Sequence, residues 1–253
     1  MAVEPRSLIL IVYAPVQTGN DRRSVAVVRA MEQALPGLRL EWTVTEDQRL
    51  TLLPQRDAWL IQARRDGGFP LICNNDERYP VMVSGLIAPA VTPGPGAPAL
   101  LEVHAEFPLD AVGIAAATRL LEEVAEAAHA FWGRVLPEGV AETVSRQFHR
   151  AAHEAHVPPK GLPSLKFPWE LSAPEIPHYV GWLNYWSSAT ARALGFPEPS
   201  RDVELLSRAR RTATGGWVVR LSDAPLDLDD PSHLSALKRA YERFPEIGGR
   251  PSS

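Results

Sequence analysis

The feature that most constrains the fold is a succession of short strand-like segments in the first half of the sequence. The run at residues 8–13 is continuously apolar and ends at Ala14 and Pro15, which indicates a buried strand. Further candidates follow at residues 38–44, 50–53, 69–74, 79–87 and 99–107. Clusters of Asp, Asn, Pro and Gly separate them, so consecutive strands are expected to pair as hairpins. The pattern predicts a mostly antiparallel sheet.

Helical periodicity occurs in grouped segments and does not alternate strictly with the strands. Residues 22–35 place their apolar side chains on one face, and a longer helix is predicted after Asp110, which suits an N-cap. Further helices are predicted at residues 139–156, at 187–194 and after Asp230. Grouped helices and hairpin-linked strands predict an α+β fold, with the helices packed on one face of the sheet.

The domain organisation depends on how a proline-rich stretch is interpreted. The chain of 253 residues is long enough for one large core or two small ones. Residues 157–177 contain repeated prolines and are predicted to be irregular. We therefore expect a single domain over residues 1–253, or two subdomains at 1–156 and 178–253 joined by that linker.

Composition and charge exclude several classes of protein. A net charge of −4 does not suit a nucleic-acid binder, because contacts with phosphates need a clustered excess of Lys and Arg. The single cysteine, Cys73, cannot form an intrachain disulfide and fits a reducing compartment. No apolar run approaches the length of a membrane span. These observations predict a soluble, cytoplasmic protein that binds neither nucleic acid nor membrane; they do not indicate its oligomeric state.

Three histidines form the clearest candidate for a metal site. His149, His153 and His156 stand at i, i+4 and i+7, so a helix would bring the three imidazoles to one side. A metal-dependent enzyme built on them is one hypothesis. However, three ligands on one straight helix span about two turns, which is too far for a single ion. A solvated helix face explains the same pattern, so we predict no metal and no cofactor.

The sequence lacks the common motifs for other catalytic chemistry. The sequence has no GxSxG motif for a hydrolase nucleophile and no glycine-rich phosphate loop of the Walker type. Cys73 lies in an apolar strand candidate, where a thiol is expected to be inert. The sequence therefore predicts a protein that is not an enzyme.

Two segments are candidates for binding a partner protein. Asp223, Asp227 and Asp229 form an acidic loop that could meet basic residues of a partner. The alternative is that the loop only caps the following helix through Asp230. The second candidate is an aromatic group, Trp182, Tyr185 and Trp186. Exposed aromatic side chains of this kind form interface hot spots, whereas buried ones pack the core.

Several segments together resemble an uncharacterised bacterial family of unknown function. They are residues 181–187 (GWLNYWS), 195–197, 216–231 (GWVVRLSDAPLDLDDP) and 240–245, together with 10–15 and 101–104. The closing layout, a Gly-Trp strand, an acidic loop and a final helix, is similar to immunity proteins of polymorphic-toxin and type VI secretion systems. The resemblance implies a cytoplasmic inhibitor that binds a cognate toxin and occludes its active site. A non-catalytic scaffolding subunit is the remaining alternative.

Overall fold

The computed structural model describes residues 7–18, 21–63, 68–88, 99–148, 157–171 and 173–250. The strands are β1 (Ser7–Pro15), β2 (Trp42–Val44), β3 (Leu50–Leu52), β4 (Phe69–Cys73), β5 (Met82–Ala88), β6 (Leu100–Pro108), β7 (Trp132–Pro137), β8 (Leu183–Trp186), β9 (Ala209–Arg211) and β10 (Trp217–Arg220). The helices are α1 (Arg23–Ala34), α2 (Arg56–Gln62), α3 (Ala111–Ala128), α4 (Glu138–Ser145), α5 (Ser188–Ala193), α6 (Val203–Ser207) and α7 (Pro231–Arg243).

The ten strands within the described ranges belong to one sheet, in the order β3-β2-β4-β5-β6-β1-β7-β8-β10-β9. Every neighbouring pair is antiparallel. The predicted α+β class with an antiparallel sheet is confirmed. Strand β7 pairs with β8 from Trp132 opposite Trp186 to Val135 opposite Leu183. The sheet therefore runs without interruption from the N-terminal strands to the C-terminal ones.

One face of the sheet is covered by α1 and α3. Helix α3 packs on β1, β7 and β8, and α1 packs against α3. Asp110 caps α3 as predicted, because its carboxylate accepts the Gly113 amide at 2.7 Å. Only glycine fits at position 113, since a Cβ there would lie 2.0 Å from the Pro108 carbonyl oxygen. The cap and the glycine together fix the direction in which the helix leaves β6.

Among the described residues, the other face is covered over only part of its width. Tyr185 donates from its hydroxyl to Glu126 of α3, whereas the next side chain, Trp186, packs on Phe244 directly after α7. Because successive side chains of a strand point to opposite faces, α3 and α7 lie on opposite sides of the sheet. Helices α1 and α3 thus form the layer on one face that was expected from the sequence, and α7 covers part of the opposite face.

Several elements differ from the sequence-based expectation, among them the short α6 and β9, which were not predicted. Strand β7 was not predicted, because Gly133, Arg134 and Pro137 interrupt its apolar residues and its uniform burial leaves no alternation between polar and apolar side chains. Helix α4 ends at Ser145, although helical periodicity was expected to continue to residue 156. Helix α2 was also missed, since Leu60 is its only fully buried residue and the apolar pattern is correspondingly weak.

The linker expected at residues 157–177 is irregular, but it packs against the rest of the protein. It contains two short 3-10 turns, Pro159–Gly161 and Pro168–Glu170. Leu162 and Leu165 of this segment are buried, and the Leu165 amide donates to the Gln147 carbonyl at 2.8 Å. Within the described residues, no helix is both long and apolar enough to cross a bilayer.

Candidate functional site

The aromatic segment predicted as a partner-binding candidate lies in the core. Trp182, Tyr185 and Trp186 are all buried, at no more than 3% exposure. The Trp182 indole donates to the Ser222 carbonyl at 3.0 Å, so its polar end is satisfied inside the protein. Side chains in this position stabilise the fold and do not form a contact surface, which corresponds to the alternative interpretation of the segment.

The acidic loop, in contrast, is on the surface. Asp223, Asp227 and Asp229 are exposed, while Leu226 and Leu228 between them are buried and anchor the loop. The loop therefore combines a helix-capping role, in which Asp230 accepts the Ser232 amide at 2.7 Å, with exposed carboxylates.

Part of the charge of this loop is already balanced within the chain. Asp223 lies 3.3 Å from Arg220 and 3.7 Å from Arg208. Asp229 forms an ion pair with Lys160 at 2.6 Å. No ion pair is described for Asp227, and its own amide donates to the His233 ring at 3.1 Å. Asp227 is thus the loop carboxylate best placed to meet a cation of a partner.

The histidine cluster cannot be placed. His149, His153 and His156 lie outside the described residues. Among the residues that are described, no group of three or more His, Cys, Asp or Glu side chains could hold a metal ion. Elemental analysis of protein purified without a histidine tag tests the metal hypothesis, which requires a stoichiometric transition metal.

The sheet presents a second surface that the sequence did not single out. We define the open face as the side chains of β2–β6 that point away from α1 and α3. In β6 the residues on the helix side are buried, while Glu102, His104 and Glu106 on the open side are half-exposed. The apolar members of the open face are Trp42, Val44, Leu50, Leu52, Cys73, Met82 and Leu86. The polar members of the open face are Ser84, Glu102, His104 and Glu106.

The strand register joins these side chains into continuous rows. Leu52 lies opposite Trp42, Trp42 opposite Cys73, and Cys73 opposite Met82. Side chains directly opposite one another in an antiparallel pair are in contact distance, so the row forms one apolar strip across four strands. Met82 in turn lies opposite Glu106, where the polar stripe of β6 begins. The open face is therefore an apolar patch with a polar border.

A buried polar cluster lies beside this border. Arg134 of β7 is 2% exposed, and its guanidinium carbon lies 3.5 Å from the centre of the Tyr179 ring. Among the described residues, its Nε and Nη1 atoms have no hydrogen-bond partner. Burial lowers the pKa of Arg134 to about 10, against the opposing effects of Tyr13 and Glu102. The guanidinium is still charged at neutral pH, so an uncommon buried cation faces the edge of the open face.

His178 belongs to the same cluster. Its ring contacts Tyr13 and Trp132, with centroids 4.4 and 4.6 Å apart. Burial and, to a lesser extent, the positive charge of Arg134 together lower the pKa of His178 to about 3. His178 is therefore neutral in the folded protein at pH values where an unfolded histidine, with a pKa of about 6.5, is protonated.

This difference predicts a pH dependence of stability. Because the pKa of His178 is depressed in the folded state, the unfolded chain binds the extra proton, and stability is lost as the pH falls below about 6.5. Between pH 7 and pH 5 the free energy of unfolding should fall by about 2 kcal/mol from this residue. Urea denaturation at the two pH values measures it. His178→Phe, which keeps the ring contacts, should reduce the fall by that amount; an unchanged fall would contradict the assignment.

Comparison with known protein families identifies the family of the chain. The family model of DUF5953, a domain of unknown function, matches residues 19–252. The chain belongs to this family. No curated protein matches this DUF5953 chain in sequence.

A solved structure shares the fold of the DUF5953 chain. A type VI secretion system protein of Pseudomonas aeruginosa is similar with a TM-score of 0.57 over 98% of this chain and 77% of that one. The sequence identity is 14%, so the likeness is one of fold. In the DUF5953 chain, the open face and Arg134 are the features that sequence reasoning missed. Alternation in β6 was visible in the sequence, but which strands lie uncovered depends on the tertiary arrangement.

Proposed function

We propose that the chain is an immunity-type protein of a type VI secretion system that binds a cognate toxin or effector protein and occludes its active site. The observation that carries the proposal is the open face. Val44, Leu50, Leu52 and Leu86 are exposed by 44 to 59% on one side of the sheet. Exposed apolar side chains grouped within a polar border are typical of protein–protein interfaces.

Two further observations support this particular role. The similar solved structure belongs to a type VI secretion system, which suggests the cellular context. The C-terminal layout, from the Gly-Trp strand to α7, is similar to immunity proteins. In the proposal the protein acts in the cytoplasm by stoichiometric binding, not as an enzyme, and needs no cofactor. The single cysteine is compatible with that compartment.

The experiment is co-expression with the protein encoded beside this gene. Expression of that protein alone should arrest growth, and co-expression of the present chain should restore it. The two proteins should also co-purify in a fixed ratio. If growth arrest persists and the two proteins do not associate, the proposed function is wrong.

The acidic loop gives a prediction about the rate of binding. A surface carboxylate that attracts a basic partner mainly accelerates association, so Asp227→Asn should lower the association rate constant roughly three- to tenfold at low salt. Stopped-flow or surface plasmon resonance at low and high salt measures this. Glu142→Gln, an exposed carboxylate on α4, is the matched control. Equal association rate constants for the two variants would show that the acidic loop does not take part in the interface.

A further inference from the structure

Strand β3 is one edge of the sheet, and the register shows which of its backbone groups point outward. The Thr45 amide donates to the Arg49 carbonyl at 2.9 Å, and the Leu53 amide donates to the Glu41 carbonyl at 2.8 Å. Hydrogen-bonded and non-hydrogen-bonded pairs alternate along an antiparallel ladder. Between these two pairs, the hydrogen-bonded pair is therefore Thr43 with Thr51.

It follows that the backbone amides and carbonyls of Leu50 and Leu52 point away from β2. Both residues lie in non-hydrogen-bonded positions of the β2–β3 ladder. Their side chains are exposed by 49% and 47% and belong to the open face. Outward backbone groups and apolar side chains thus occur together at the same edge.

The opposite edge of the sheet provides a contrast within the same molecule. Strand β9 carries Arg210 and Arg211, which are both exposed. Charged side chains on an edge strand discourage pairing with another chain. Strand β3 has the sequence Leu-Thr-Leu, with neither a charge nor a proline in the strand. Among the strands that the structure describes, the β9 edge is therefore protected by charge, and the β3 edge is open to a further strand.

We infer that β3 is the site at which an extended segment of the cognate effector adds to the sheet. The inference rests on the proposed function and specifies its partner contact. The added segment hydrogen-bonds to the backbone of Leu50 and Leu52, and its apolar side chains, at every second position, continue the open face beyond these leucines. The effector segment is accordingly an alternating apolar strand that the effector presents at its surface.

A second copy of the chain is a less suitable occupant. Strand β3 is three residues long, which corresponds to about 10 Å of strand. Two such strands paired edge to edge bring together only two leucines from each copy. A stable specific interface buries about 1,200 Å² or more in total. Edge pairing of two short strands alone falls short of that size, whereas an effector that adds a strand and also covers the open face contacts a surface that spans β2–β6.

The test is amide hydrogen exchange on the full-length chain, free and in complex with a catalytically inactive form of the protein encoded beside this gene. The amides of Leu50 and Leu52 should exchange at least tenfold more slowly in the complex. The Thr51 amide, which is paired with Thr43 in both states, should change much less. A complex in which Leu50 and Leu52 exchange as in the free protein overturns the inference while leaving the proposed function intact. If no complex forms and growth is not protected, both fail.

A pair of edge variants gives an independent readout. The double substitution Leu50→Lys and Leu52→Lys should weaken effector binding at least tenfold in calorimetry. Ala209→Lys on the opposite edge should leave the dissociation constant unchanged. Sedimentation of the free protein tests whether a second copy of the chain pairs with this edge instead. A dimer that the β3 variant converts to monomer would show that a second copy, and not the effector, pairs with this edge.

Discussion

Trp186→Ala is expected to lower the free energy of unfolding by about 3–5 kcal/mol, the range for removing a large aromatic side chain from a core. Trp186 is 1% exposed and contacts the rings of Phe196 and Phe244, each with a centroid separation of 5.1 Å. Alanine restores neither these ring contacts nor the volume of the indole side chain. Urea denaturation followed by circular dichroism measures the loss.

The control is Trp169→Ala, which removes the same side chain from a position that is 42% exposed. It should cost less than about 1 kcal/mol, as surface substitutions generally do. The folded fraction of the Trp186→Ala protein should bind the effector as the original chain does. A weakened affinity with unchanged stability would instead make Trp186 an interface residue.

Asp202→Ala should destabilise the protein by a similar amount. Its two carboxylate oxygens accept from Nε and Nη2 of Arg243 at 2.6 and 2.9 Å, and one of them also accepts the Glu198 amide at 2.7 Å. The Asp202 side chain is fully buried. Removing one partner of a buried pair leaves the other charge uncompensated, which costs about 3–5 kcal/mol. Thermal and urea unfolding measure the change.

An exposed ion pair supplies the comparison for Asp202. Glu142 and Arg146 are one helical turn apart, and both side chains are more than 60% exposed. Glu142→Ala should change stability by less than about 0.5 kcal/mol. Equal losses for the two alanine variants would mean that the Asp202–Arg243 pair does not connect the 198–202 loop to α7 in the way the geometry indicates.

The sequence predicted strands whose side chains either alternate in polarity or are continuously apolar. Strand β6 was expected close to where it lies, because buried and partly exposed residues alternate along it. Strand β7 is buried on both faces, so its six residues gave no alternation to recognise. Strand β1 is also buried along most of its length, but its continuous run of apolar residues revealed it, whereas Gly133, Arg134 and Pro137 interrupt the apolar residues of β7.

The candidate site shows the same limit. Spacing alone identified the aromatic side chains at residues 182–186, but only the packing on both faces of the sheet shows that they are buried. Likewise, Leu50 and Leu52 had a strand-like sequence, yet their place at the edge follows from pairing between distant segments. The acidic loop was found because its exposed carboxylates and buried leucines alternate locally. Function here depends on which surfaces tertiary structure leaves uncovered.

The most direct test of the open face as the effector-binding surface is the dissociation constant of two variants measured by titration calorimetry. Leu86→Glu places a charge on the open face, and Val112→Glu places one on α3, on the opposite side of the sheet. The two residues have comparable exposure, 59% and 50%. Leu86→Glu should weaken binding of the effector by about tenfold or more, as truncating or charging an interface anchor does, and Val112→Glu should leave it unchanged. Equal affinities for both variants, or a loss confined to Val112→Glu, would contradict the assignment of the open face.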